Sequence, residues 1–366
     1  MVRGWTASPD GRHHGAHGLD AARTLSARPE SFLDFSANIN PLGAPEAALA
    51  AGAEALYGEA GRYPDLHYTE LTEALALYLG VPAGTVLPTN GGAEALFLAA
   101  RAAVEGPGRR AIVLEPTFSE YAVAARAAGF EVSGMVVRRR EMGFRLDLAA
   151  LREVLQEWDD VGLVFLCNPN NPTGDAVARR DVLRVAEMVR GAGAVLVVDE
   201  AFADFAPGLS VVAEAGEGLY VARSFTKFFA VPGLRLGCLV CRESGRVRAF
   251  QPSWPVNAVA AAVGIAAARD EDFAAATLAE VALRRGELYD ALGGLADITV
   301  YPGAANFLFA RGPEGLAERL ARRGVLVRGC EPFEGLGPGF FRVAVRGARE
   351  NERLVGELRS VLGVAP

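Results

Sequence analysis

The sequence predicts an α/β protein in which a large domain built on a mostly parallel β-sheet is followed by a smaller α+β domain. Three observations point there. Between residues 85 and 245 short apolar runs alternate with helical patterns. The runs are rich in β-formers and apolar at nearly every position, and after residue 250 the order changes to a long helical stretch followed by short strands. Strand–helix alternation calls for crossover connections, and continuously apolar strands call for cover on both faces.

Taken in order, TVLP (85–88), AIVL (111–114), GLVFLC (162–167), AVLVVD (194–199), LYVAR (219–223) and LGCLVC (236–241) read as buried strands. Between them, residues 92–104, 118–128, 147–157 and 181–192 space their apolar positions as helices do. Beyond residue 250, 256–293 reads as one long helical stretch, followed by strands ITVYP and NFLFA, helix 314–323, strands VLVR and FFRVAV, and a last helix 349–362. The glycine- and histidine-rich beginning reads as an arm that contributes to the small domain and the active site. The expected division is therefore an arm (1–40), a large domain (41–250) and a small domain (251–366).

The 366 residues, 51% of them hydrophobic, suffice for a large core plus a smaller one. A net charge of −7 argues against nucleic acid or an anionic membrane surface as partner. No basic start leads into an apolar run, and NAVAAAVGIAAA from Asn257 is too short to span a bilayer, so a cytoplasmic setting is expected. Cys167, Cys238, Cys241 and Cys330 fall in apparent strands. The CxxC of Cys238 and Cys241 has an odd offset, which sends the two side chains to opposite faces, so buried thiols are expected rather than zinc or redox chemistry.

Lys227, in SFTKFFAVPGLRLG, is the only lysine; the other 36 of the 37 basic residues are arginines. Arginine serves wherever a fixed positive charge is wanted. Only lysine can lose its proton when buried or near another cation and then attack a carbonyl. Its neighbours are hydroxyls and a pair of aromatics, which is not the setting of a stray surface lysine.

Ligands of open parallel sheets sit beyond the carboxyl ends of the strands, and the unusual residues collect there. TVLP runs into TNGGAEAL, where Gly91 and Gly92 open a helix whose first amides suit a phosphate, although a plain glycine turn looks the same. GLVFLC ends in NPNNPTG (168–174), a stiff loop with outward amide side chains. AVLVVD ends in Asp199, followed by Glu200, Phe202 and Phe205, a set that suits a closed pocket better than a helix cap. LYVAR ends in Arg223 and Ser224, three residues before Lys227. One amine, one carboxylate, hydroxyls, phosphate-ready amides and a basic side chain match the needs of pyridoxal 5′-phosphate: an amine for its aldehyde, an acid for its ring nitrogen, donors for its phosphate.

In NPNNPTG, VVDEAF and SFTKFFAVPGLRLG, in that order, the chain resembles fold-type I pyridoxal-phosphate enzymes of the class I/II aminotransferase group over nearly its whole length. The resemblance implies that Lys227 bonds the cofactor aldehyde and shuttles protons, while Asp199 pairs with the ring nitrogen. It places Asn171 on the ring hydroxyl and Phe118 on the ring face. Gly92, Ala93, Ser224, Thr226 and Arg235 become the phosphate cup, although the family often has a hydroxyl residue where this chain has Ala93. Tyr63, in GRYPD, is implied to reach the phosphate of a neighbouring subunit, which makes a homodimer with shared sites.

Two branches of that group act on phosphorylated substrates, histidinol-phosphate aminotransferases and the threonine-phosphate decarboxylases of cobalamin biosynthesis. The arm AHG with LDFSANINPLG, the Phe202 of DEAFADF and the tail FFRVAVRGARENERL resemble the decarboxylases. That resemblance implies that His17, Asn38 and Arg328 grip a substrate phosphate and Arg342 meets a carboxylate. Glycines at 15 and 18 break the helix a His13–His17 metal pair would want, so no metal is expected. His67 and Arg346 read as surface or supporting residues. The alternatives are an aminotransferase and a cofactor sensor fused to a DNA-binding module; acidity and the lack of a helix-turn-helix ahead of the arm weigh against the sensor.

Overall fold

The computed structural model describes residues 23–24 and 28–364. Strand β1 (Leu33–Asp34) leaves the large sheet aside and pairs in parallel with β11 (Val325–Leu326). The large sheet comprises β2 (Val86–Asn90), β3 (Arg110–Glu115), β4 (Glu131–Val136), β5 (Val161–Cys167), β6 (Val195–Asp199), β7 (Leu219–Ser224) and β8 (Leu236–Val240). Its order is β2-β8-β7-β6-β5-β3-β4, with β8 antiparallel to both neighbours and the pairs from β7 to β4 parallel. A second sheet, β12-β13-β10-β9, joins β9 (Thr299–Tyr301), β10 (Phe307–Arg311), β12 (Arg328–Gly329) and β13 (Phe340–Ala344), all antiparallel.

Both faces of the large sheet are buried, as the apolar runs require. Val113, Phe165, Val197 and Ala222 pack under the helices Gly91–Ala103 and Glu120–Ala128, while Ile112, Val164, Val198 and Val221 fill the opposite face. Cys238 and Cys241 fall into these two different cores, and all four cysteines are buried and free. No helix among the described residues is long and apolar enough to cross a membrane.

Four local features differ from the sequence expectation. β4 escapes the apolar-run criterion because it is a half-exposed edge strand with Gly134 in its middle. The helices Glu46–Gly58 and Thr69–Leu79 lie ahead of the first strand of the alternation. The stretch 256–293 is two helices, Ala258–Ala268 and Glu271–Gly293, because Asp270 caps the second by accepting from Phe273 N at 2.9 Å. The run VLVR divides its partners, its first two residues pairing with β1 and Arg328 with β13. Helix Ala258–Ala268 packs on Glu46–Gly58, with Val263 against Gly52.

Register decides where the site lies. Cys167, Asp199 and Ala222 stand side by side at the ends of β5, β6 and β7, and Thr89, Gly237 and Ser224 do so across β2, β8 and β7. The small sheet is brought to this edge by a backbone contact: Ala304 N, ahead of β10, donates to Gly174 O of the loop after β5 at 3.0 Å.

Candidate active site

Beyond these strand ends lies a cavity of about 300 Å³ whose wall includes Asp199, Lys227, Phe118, Asn171, Arg328 and Arg342. Strands β5 and β6 supply its floor, the turn after β7 supplies the amine, and β12 and β13 supply Arg328 and Arg342. Segment 36–40 closes one side. Asn40 fastens that segment to the lysine turn: its backbone N donates to Lys227 O at 3.1 Å and its Nδ2 to Phe228 O at 2.7 Å. Asn38 is buried two residues earlier, and its Oδ1 has no hydrogen-bond partner among the described residues.

Lys227 Nζ donates to Ser224 Oγ at 3.0 Å and lies 5.6 Å from the Phe202 ring centroid. Burial pushes the ammonium down from the ordinary lysine value; Asp199 works against that shift and Arg235 adds to it. An amine becomes nucleophilic as pH rises through its own pKa, so a lowered pKa moves that rise to lower pH. The rate of cofactor uptake by the apoprotein therefore rises with a midpoint below the ordinary 10.5. A midpoint at or above that value contradicts the buried setting of this amine.

Asp199 is buried, with both carboxylate oxygens engaged: Oδ2 accepts from Tyr121 OH at 2.7 Å and Oδ1 from Ala201 N at 2.9 Å. Burial raises its pKa, and Lys227 and the Tyr121 phenol oppose the rise. Phe118 meets the Tyr121 ring edge-on at 5.7 Å and lines the same cavity.

The anion cradle is assembled where β2, β7 and β8 end. Gly91 adopts φ +74°, and a Cβ there would stand 2.5 Å from Arg235 Nη2. A Cβ on Gly92 would come within 3.0 Å of Ser224 Cβ, and Ser224 Oγ and Thr226 Oγ1 are 2.9 Å apart. Ala93 follows in the first turn of the same helix. Arg235 itself holds φ +61°, a strained setting for a non-glycine residue that keeps its side chain over the glycines. The close approach depends on Gly237, where a Cβ would lie 2.6 Å from Gly91 C and Gly92 N. Gly237→Ala is expected to cost about 1–3 kcal/mol and to weaken phosphate binding; an unchanged denaturant midpoint would show that the turn yields freely.

Arg342 Nη2 donates to Ser36 O at 2.8 Å, Nη1 donates to Asn171 Oδ1, and the guanidinium lies over the Phe307 ring at 5.2 Å. Burial pushes its pKa down to about 10. Arg328 is the direct cross-strand neighbour of Arg342, is equally buried, and lies 5.6 Å from the Phe333 centroid. Burial lowers its pKa too. Two buried guanidiniums placed opposite one another make this wall strongly positive.

Lys227, Asp199, Phe118, Asn171, Thr226, Arg235, Asn38, Arg328 and Arg342 all line this cavity; Ser224 is hydrogen-bonded to Lys227 there, Gly92 packs on Ser224, and Ala93 is only the next residue of that helix. His17 lies outside the described residues. Tyr63 is 80% exposed and pairs with Trp254 at 4.5 Å, away from the cavity of its own chain. Three expectations are corrected. Arg223 and Glu200 do not face the cavity: Arg223 Nη1 donates to Glu200 Oε2 at 2.7 Å and Nη2 to Asp204, on the opposite face of the sheet from Asp199. Strand alternation causes this, since Arg223 and Glu200 each lie one residue from an inward position. Phe205 likewise packs on Phe228 at 5.2 Å, and only Phe202 of the DEAFADF aromatics reaches the site. Tyr121, Ser36 and Phe333 went unnoticed in the sequence; of these only Tyr121, three residues after Phe118 in PTFSEY, had a spacing that could have marked it.

A cradle that Cβ atoms would fill, a buried carboxylate and a buried amine fit pyridoxal 5′-phosphate. The family model for aminotransferase class I and II matches residues 30–358. A threonine-phosphate decarboxylase of Salmonella typhimurium is 39% identical over 363 residues, 96% of this chain and 98% of that protein. A histidinol-phosphate aminotransferase of Methanosarcina mazei is 32% identical over 344 residues, covering 92% and 90%. The solved histidinol-phosphate aminotransferase of Clostridium acetobutylicum superposes with a TM-score of 0.82 at 27% identity, over 90% of this chain and 99% of that one.

Proposed function

The chain belongs to the aminotransferase class I and II family, and on that premise we propose that it decarboxylates L-threonine O-3-phosphate. The products are (R)-1-amino-2-propanol O-2-phosphate and CO2, and the step belongs to cobalamin biosynthesis. The cofactor is pyridoxal 5′-phosphate; bound, it supplies the sink for the electron pair left when CO2 departs.

The observation that supports this reading most is the 39% identity to a threonine-phosphate decarboxylase over 96% of this chain; the opposed, buried pair Arg328 and Arg342 agrees with it. A substrate with both a carboxylate and a phosphate matches two positive charges on one wall. Arg342 orients the carboxylate; Arg328, Asn38 and His17 take the phosphate. Lys227 takes up and returns protons at the substrate carbon that loses the carboxyl. Asp199 holds negative charge at the inner end of the cavity, Phe118 and Asn171 orient the cofactor ring, and Gly92, Ala93, Ser224, Thr226 and Arg235 receive its phosphate. Phe202 closes the wall beside Lys227 and excludes water there.

Tyr63 serves the site of a second copy in a homodimer. Its exposure, next to exposed Leu56 and Tyr57 at the end of helix Glu46–Gly58, supports this. The free, buried thiols suit a reducing cytoplasm. The division into arm, large and small domains is part of the same proposal.

The test pairs two assays on the loaded enzyme: trapped CO2 from threonine phosphate, and amino transfer from histidinol phosphate to 2-oxoglutarate. Gas release without amino transfer is expected. Amino transfer without gas release replaces the decarboxylase by the aminotransferase.

A further inference from the structure

Tyr121 belongs to none of the roles assigned so far. It stands in the first turn of the helix Glu120–Ala128, fully buried, and its ring stacks on Phe165 at 5.1 Å with an interplanar angle of 11°. That stack and the edge of Phe118 at 5.7 Å fix the ring; its OH donates to Asp199 Oδ2 at 2.7 Å and has the Cys167 thiol as its other polar neighbour. Ala201 N occupies the other oxygen at 2.9 Å, so the carboxylate cannot turn without losing a donor.

We propose that Tyr121 is a positioning residue for the reaction: its stacked phenol holds the Asp199 carboxylate ionised and turned into the cavity. A hydrogen bond to a carboxylate favours the charged form, and at this length it is of the strong, charge-assisted kind. The groups that act on Asp199 are few. Lys227 and Arg223 favour its charge, and the Cys167 thiol beside it is pushed up to about 12 and stays protonated. Burial and the nearby carboxylate push the phenol itself well above its ordinary value, so it remains a donor. Arg223 is already committed to Glu200 and Asp204. Tyr121 is thus the neutral side-chain donor that, with the backbone N of Ala201, offsets the desolvation of Asp199 before any ligand arrives. The effect on the carboxylate stands on this geometry alone; its consequence for turnover rests on the decarboxylase reading.

The experiment uses the full chain with ¹³C-labelled aspartate carboxyls, the Asp199 signal being assigned by its absence in Asp199→Asn. In the cofactor-free protein, Tyr121→Phe is expected to raise the Asp199 midpoint by about one to two pH units. In the loaded enzyme it is expected to lower kcat at least about tenfold while KM for threonine phosphate stays within about twofold. An unchanged midpoint overturns the proposal, and so does a loss confined to KM. Should Tyr121→Phe fail to fold, the phenolic proton of the native chain decides: slow exchange with water, lost in Asp199→Ala, supports the bond, and rapid exchange in the native chain overturns it. A shifted midpoint in a protein that releases no CO2 from threonine phosphate keeps this inference and removes only the substrate assignment.

Discussion

Lys227→Arg is expected to abolish turnover, by at least about 10³-fold, and to leave a protein without the visible absorbance of lysine-bound cofactor. The substitution keeps the positive charge near Ser224 Oγ and beside the Phe202 ring, so the packing of the turn is preserved. What disappears is an amine that burial has already made easier to deprotonate. A guanidinium stays protonated and cannot bond a carbonyl carbon or return a proton to one. The chain has no second lysine to take over. Turnover within about tenfold of the native rate, or a retained visible band, would remove Lys227 from the chemistry.

Asp199→Asn is the second large effect: cofactor still binds, while kcat falls by about 10² to 10³-fold. The amide keeps the size of the side chain; its oxygen can still accept from Ala201 N and its NH2 can donate to the Tyr121 oxygen, so the main loss is the negative charge facing Lys227. Stability changes in a way that identifies the same group. The folded pKa of Asp199 is raised above the ordinary 3.8, chiefly by burial. The folded state therefore holds this proton in a window where the unfolded chain has released it. Asp199 contributes stability below that window and loses it as pH rises through the folded value. Asn has no such proton, so the variant's unfolding free energy loses this decline with pH. Native-like turnover together with a native pH slope would contradict both parts.

Much of the site was legible because its residues punctuate strand ends. Asp199, Asn171, Ser224 and the glycine pair each follow a buried apolar run; proline marks the break at Asn171 and glycine at the pair, while at Asp199 and Ser224 the polar residue itself ends the run. Direction was harder to read than position. Arg223 and Ser224 adjoin in sequence, yet the two-residue period of a strand sends Arg223 into an ion pair behind the sheet and leaves Ser224 beside Lys227. Tyr121 was hidden for another reason. An aromatic in the first turn of an amphipathic helix reads as core, and it does stack on Phe165; only the three-dimensional neighbourhood shows the hydroxyl reaching Asp199. The opposition of Arg328 and Arg342 rests on antiparallel pairing across a loop, which no local pattern encodes. The edge strand β4 and the helix break at Asp270 were obscured by half-exposed polarity and by a cap within an alanine-rich run.

In the proposed reaction this cavity exchanges a carboxyl group for a proton and leaves the amine in place. Turning over threonine phosphate in D₂O and weighing the product tests it directly. The expected product is an amino-propanol phosphate that keeps its nitrogen and carries one deuterium on the carbon that lost CO2. A 2-oxo acid that keeps its carboxyl and has lost its nitrogen would contradict it.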